Sequence, residues 1–247
     1  MRSPLGPLLI SALAVLCGVG LLLASELDIS GGEASQRSDA APPPAADLEP
    51  STGVRLGASD RREPSKRGPR IHWRDSVAVG TPENGSLVRG VRLPAEGRGY
   101  FTWDPVLKRR PDRDWRRWGT DKVVRTLLRV IRGYRREHPN APRVGVGDLS
   151  LPSGGYFGPE VSGGIGHATH QNGINVDVYY PRLDGRERPP TSVDQIELPL
   201  AQDLVDRFVA AGATRIFVGP TTPLTGPPGV VQPLVNHDNH LHVVIGE

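Results

Sequence analysis

The stretch Asn236-His237-Asp238-Asn239-His240-Leu241-His242-Val243-Val244-Ile245 holds three of the chain's seven histidines. Its second half alternates. Leu241, Val243 and Ile245 fall on one side, and His240, His242 and Val244 on the other. Successive side chains of a strand leave opposite faces, so this pattern predicts a half-buried strand with both histidines aimed into one small volume. Imidazole is the commonest protein ligand for zinc and the usual proton carrier near neutral pH. A surface cluster or a tag-like tail has no use for the apolar reverse face that this run carries.

A second stretch, Gly166-His167-Ala168-Thr169-His170-Gln171-Asn172-Gly173-Ile174-Asn175-Val176-Asp177-Val178, alternates in the same way at its end. Ile174, Val176 and Val178 share one face, and Asn175, Asp177 and Tyr179 the other. Two such strands paired side by side would let His170, Asp177 and His242 offer two nitrogens and one oxygen to a single cation. One position would stay open for water, the arrangement of catalytic rather than structural zinc sites.

The pattern His167-x-x-His170-Gln-x-Gly-x-x-Val-Asp177, followed by His237-x-x-His240-x-His242, resembles the penicillin-insensitive murein endopeptidases. These belong to a wider group of zinc peptidases acting on D-alanyl bonds. The segment Val146 to Phe157 and the strand Thr214-Arg215-Ile216-Phe217-Val218 extend the likeness, which runs from about Gly80 onward. The resemblance implies one zinc ion per chain, held by His170, Asp177 and His242. It implies catalytic roles for His240, as proton carrier, and for His237, as a further active-site group. His167 corresponds to a residue that serves a second metal or lines the cleft, and Gln171 and Asp148 to substrate contacts. Two departures stand out. No Asp-x-x-His follows Asp177 where a second metal would need it, and Asn175 replaces an acid on the metal side. The implied activity is hydrolysis of peptidoglycan peptide cross-links, at the D-alanyl–diaminopimelyl bond, by a metal-activated water. The alternative is a non-catalytic domain that binds the cell wall or recruits a partner on the same fold. No Ser-x-x-Lys occurs in the chain, so the serine chemistry that penicillin acylates is missing from it.

The 247 residues allow one sizeable domain plus a tail. Leu8 to Ala24 form an almost unbroken apolar run, with Arg2 before it and Glu26 and Asp28 after it. That polarity predicts an exported protein, in the periplasm or cell envelope, with residues 1–24 as a signal peptide or an inner-membrane signal anchor. Cys17 is the only cysteine and lies within the run. Residues 25–70 are rich in Ser, Pro, Ala, Gly and charge and predict a disordered tether. Its coil span is about 35–40 Å.

Residues 71–247 predict the folded domain. The fold class expected is α+β: a small central antiparallel sheet with flanking helices and long loops, preceded by a membrane-anchor helix and the tether. A helix from Thr120 or Asp121 carries an apolar stripe of Val123, Val124, Leu127, Leu128, Ile131 and Tyr134. A second helix spans Leu198 to Ala211 and stops at Gly212. Strands are expected at Arg143–Gly147 and Thr214–Val218. Net charge is +3, and arginines crowd the stretch from Arg109 to Arg136. A nucleic-acid role is set aside for an exported chain, since anionic wall polymers and lipid headgroups are the polyanions close by.

Overall fold

Two apolar helical stripes and two alternating strands set the architecture of the computed structural model, which describes residues 70–246. In chain order the strands are β1 (Val77–Thr81), β2 (Asn84–Val88), β3 (Val91–Arg92), β4 (Glu96–Gly97), β5 (Tyr100–Thr102) and β6 (Trp118–Gly119). Helix α1 (Asp121–Glu137) leads to β7 (Val144–Val146), a single helical turn α2 (Pro159–Ser162) and β8 (Asn175–Tyr179). Then come α3 (Leu198–Ala210), β9 (Ala213–Val218), β10 (Val231–Pro233) and β11 (His240–Ile245).

Seven strands form the main sheet in the order β10-β9-β11-β8-β7-β5-β4. Its middle is antiparallel, β11 lying between β9 and β8. The flanks are not. β10 runs parallel to β9, and β5 parallel to β7. This corrects the expectation of a small antiparallel sheet: the sheet is larger and mixed. Parallel neighbours need a long crossover, and α1 supplies it between β5 and β7. The loop from Gly219 to Val230 does the same between β9 and β10.

Both helices begin and end where their residues dictate. The Thr120 hydroxyl accepts a hydrogen bond from the Val123 amide at 3.2 Å and so caps α1. Gly212, at φ +88°, turns the chain out of α3. Val123, Val124, Leu127, Val130, Ile131 and Tyr134 of α1 are buried, and with Leu204 and Phe208 of α3 they cover one face of the sheet. From the sheet, Val176, Val178, Leu241, Val243 and Ile245 point into that core. The alternation therefore has a structural cause. One face of β8 and β11 belongs to the helices, which leaves the other to the polar residues between. Arg125, Arg129, Arg132 and Arg136 lie exposed on the outer side of α1.

The expected leader (1–24), Cys17 within it, and the expected tether (25–70), apart from Arg70, lie outside the described residues. Among the described residues no helix is long and apolar enough to cross a membrane.

Leu241 is fully buried between His240 and His242 of β11. Leu241→Ala is expected to destabilise the fold by about 2–5 kcal/mol, read from the shift in urea midpoint.

Candidate metal centre

The register of β8 against β11 sets His242 opposite Asp177, with Val243 opposite Val176 and Leu241 opposite Val178. Directly opposed residues on one face have Cβ atoms about 4.5–5.5 Å apart. The third partner, His170, comes from the loop before β8. Its φ is +67°, a left-handed conformation that costs roughly 1–3 kcal/mol unless the surroundings impose it. They do. The Gln171 amide donates to Pro82 O at 3.0 Å, the Gly155 amide to Gln171 O at 2.8 Å, and the Thr120 amide to Gly173 O at 2.9 Å. Gly173 itself sits at φ +77°, hard against Leu87, where a side chain would clash.

Three ligand atoms converge as a result. His170 Nε2 lies 3.1 Å from His242 Nδ1 and 3.3 Å from Asp177 Oδ1, and His242 Nδ1 lies 3.1 Å from Asp177 Oδ1. A tetrahedral ion with bonds of about 2.0–2.1 Å holds its ligand atoms about 3.3–3.4 Å apart. The triangle matches that spacing. All three residues are buried.

The second nitrogen of each ring is already committed, which decides which nitrogen is bare. His170 Nδ1–H donates to the Leu149 carbonyl. His242 Nε2 lies 2.7 Å from Asn175 Nδ2, and Asn175 Oδ1 is buried without a hydrogen-bond partner. Turning this side-chain amide over brings Oδ1 to accept from His242 Nε2–H, which satisfies the oxygen and leaves His242 Nδ1 as the free lone pair. Outside the triangle, His240 Nδ1–H donates to Asn239 Oδ1 at 2.6 Å, and its Nε2 stands 3.8 Å from Asp177 Oδ1. His237 Nδ1–H donates to the Val235 carbonyl at 2.8 Å, and its ring centre is 4.7 Å from that of His240. The structure thus gathers His170, Asp177, His242, His240 and His237 into one volume.

His167 adjoins this volume but is differently engaged. One ligand atom each of His167, His170 and Asp177 falls within 4.8 Å of the others, a second grouping able to hold an ion. Its geometry is poorer. His167 Nε2 is 3.7 Å from Asp177 Oδ2 and only 2.7 Å from Asp148 Oδ2, which takes it as a hydrogen-bond partner. The triangle through His242 is the better site. Asp148, which the sequence reading set against substrate, is 1% exposed. Its oxygens are taken by His167 and by both nitrogens of a bidentate Arg116 at 2.5 Å. Arg116 is fully buried and also donates to the carbonyls of Ser162 and Ile165. Gln171 is nearly buried too, its side-chain amide donating to Ala168 O at 3.4 Å. Asp148 is thus engaged within the protein, whereas Gln171 makes one long side-chain hydrogen bond through its amide nitrogen.

Charge follows from burial. Desolvation pushes His170 and His240 each down to about 4, although Asp177 lies beside both. Desolvation would raise Asp177, but the neighbouring His170, His240 and His167 hold it well below the ordinary carboxylate range. Burial would lower His167, yet Asp177 and Asp148 raise it. At neutral pH the Asp177 carboxylate therefore stands beside the neutral imidazoles of His170 and His240, and metal ligands of these types bind a divalent cation in those ionisation states.

Two outcomes are expected. Between pH 6.5 and 4 the unfolded chain binds protons at His170 and His240 that the folded chain refuses, so acid destabilises. His167 and Asp112, both raised, the latter to about 8 by burial, oppose this, and Asp177, lowered, adds to it below 3.8. The drop in urea midpoint of the metal-free chain between pH 7 and pH 5 should therefore be smaller in His240→Ala than in the unmodified chain. Arg116→Met should cost about 3–5 kcal/mol, because Asp148 is left buried and uncompensated, and adding Asp148→Leu should recover part of that loss.

The family model for penicillin-insensitive murein endopeptidase matches residues 78–217. A penicillin-insensitive murein endopeptidase of Haemophilus influenzae is 25% identical over 191 residues, covering 67% of this chain and 62% of that protein. One from Salmonella newport is 29% identical over 133 residues, covering 53% of this chain and 40% of that protein. The chain thus spans less than two thirds of the length of these curated relatives. The family match takes in His170 and Asp177, and the register of β11 brings His242 to the pair of them. More than half of the chain lies within the matched residues, and the protein belongs to the penicillin-insensitive murein endopeptidase family.

Proposed function

We propose that the chain is a zinc-dependent hydrolase of peptidoglycan peptide cross-links, acting in the cell envelope on the D-alanyl–diaminopimelyl bond. The observation that carries this reading is the 3.1–3.3 Å triangle of His170 Nε2, Asp177 Oδ1 and His242 Nδ1. A zinc ion held by these three residues supplies Lewis-acid polarisation of a carbonyl and lowers the pKa of a water molecule.

The chain's own groups carry the rest. His240 begins neutral, because burial pushes it down to about 4, and Asn239 fixes its proton on Nδ1. Its Nε2 is therefore free to take a proton from the attacking water and return it to the leaving amine. His237 is half-buried beside it, with Nδ1–H tied to Val235, so its Nε2 also faces the reacting volume. From there it can orient the substrate carbonyl. Asn175 and the Leu149 carbonyl hold the two ligating rings in place, so that the open side of the triangle keeps a constant aim. No covalent acyl-enzyme is needed, which accounts for insensitivity to β-lactams. An anchor and tether at the N-terminus would confine this activity to a layer next to the membrane, and the exposed arginines of α1 suit contact with anionic polymer or lipid.

Mass analysis of purified muropeptide dimers before and after incubation with the full chain tests the reading. Dimers should become monomers, and chelation should stop the conversion. Asp177→Ala and His242→Ala should lose zinc and turnover together. His240→Ala should retain zinc while kcat falls by about 10²–10⁴. Dimers that bind but stay intact would mean a wall-binding domain instead, and normal turnover by His240→Ala would remove its assigned role.

A further inference from the structure

The metal face of the sheet continues past His242. β9 pairs with β11 so that Phe217 lies opposite His242 and Arg215 opposite Val244. Val244 in turn lies opposite Asn175 of β8. Arg215 and Phe217 are two residues apart on one strand and so share a face. That places Arg215 on the same side as the triangle, one row along from it. A cleft of ≈ 600 Å³ opens here, lined by Arg215, Phe217, Thr169, Asn175 and His242 among others.

Arg215 is the lone arginine or lysine lining that cleft. Its side chain is exposed and makes no ion pair among the described residues. Other arginines of the fold are committed, Arg116 to Asp148, Arg113 to Asp104, Arg143 to Glu187 and Arg182 to Asp184. Glu83 also borders the cleft but is not within ion-pair distance of Arg215. A guanidinium offers a planar fork of donors that matches a carboxylate with two parallel hydrogen bonds. Its mount is the ladder of β9 with β11, where Arg215 lies opposite Val244, and β10 joins on the other side from Ile216 onward.

The reach is limited, which names the group it can read. One row along a strand pair is about 6.6–6.8 Å, and one strand across is about 4.7–4.9 Å. The Arg215 backbone thus lies about 8 Å from that of His242, a span its side chain can cover to meet a carboxylate one residue from a bond placed at the triangle. On the acyl side of the proposed cross-link stands D-alanine, which has no charged side chain. On the amino side, the carbon that carries the scissile nitrogen also carries a free carboxylate. Resting on the proposed activity, we infer that Arg215 forms a carboxylate subsite that recognises this amino-side carboxylate and seats the substrate against the metal centre.

The test uses two muropeptide dimers that differ only at that group, one with the diaminopimelyl carboxylate free and one with it amidated. Binding of each to the metal-free full chain is measured by calorimetry, so that no turnover intervenes. The free acid should bind about tenfold to a hundredfold tighter than the amide, the range of a charge-assisted pair. Arg215→Gln should bind the two alike, with zinc uptake and far-ultraviolet dichroism unchanged. Arg215→Lys, which keeps the charge without the fork, should restore part of the preference. Equal behaviour of the two dimers with the unmodified chain overturns the subsite, and so does a preference that survives in Arg215→Gln. A zinc-loaded turnover assay on the same dimers separates the two ideas. Discrimination in binding without cleavage removes the proposed activity and leaves the subsite standing, whereas cleavage without discrimination does the reverse.

Discussion

The register of β11 against β8 is the constraint on which the site rests. With His242 opposite Asp177, a carboxylate and an imidazole 65 residues apart in the chain share one face at hydrogen-bonding distance. A slip of one residue would turn β11 over relative to β8. His242 would then enter the core now filled by Leu241 and Val243, and the apolar residues would face solvent. The helices make that slip costly. Val123, Leu127, Leu204 and Phe208 pack against the reverse face and have no room for a polar ring. Hydrophobic burial on one side of the sheet thus fixes the alignment of ligands on the other.

Hydrogen bonds behind the ligands complete what the register begins. A ligating imidazole must be neutral, bare at the correct nitrogen and correctly aimed. The Leu149 carbonyl does this for His170, and Asn175 for His242. Arg116 plays a broader part. Its guanidinium joins Asp148 to the carbonyls of Ser162 and Ile165, which ties the loop carrying His167 to the strand side of the site. Asp148 then occupies His167 Nε2. Burying an ion pair this deep adds little net stability by itself, since desolvation offsets the attraction. What it contributes is a single arrangement of the loop.

Much of this was legible in the residue order, and the gaps have physical causes. The helices α1 and α3 and the strands β8, β9 and β11 carry clear periodicity, so their positions were read to within a residue or two. The triangle His170, Asp177 and His242 followed from two alternating strands and the family likeness together. The sheet's parallel flanks were hidden because β5 and β10 are three residues each, too short for a period to show, and because β7, though expected as a strand, carries no local sign of which way its neighbour runs. Their partners are decided by crossovers rather than by local pattern. Arg116 could not be told from the arginines beside it, because its partner Asp148 is 32 residues away. The ion pair that engages Asp148 was hidden for the same reason. Nothing adjacent in sequence says that a buried guanidinium claims it.

Asn175 shows how closely charge and geometry are matched at this centre. The position faces the metal side, at the ring nitrogen of His242 that points away from the triangle. An acid there would also fix the tautomer, because a carboxylate accepts from Nε2–H as well as an amide does. It would add a full negative charge to a buried site that already holds Asp177. Any cation in the triangle would then be more fully neutralised, and its pull on a bound carbonyl weaker. The amide orients His242 without that cost. It leaves Asp177 as the one carboxylate of the triangle, so that a divalent ion held there would keep net positive charge in a setting where little water screens it.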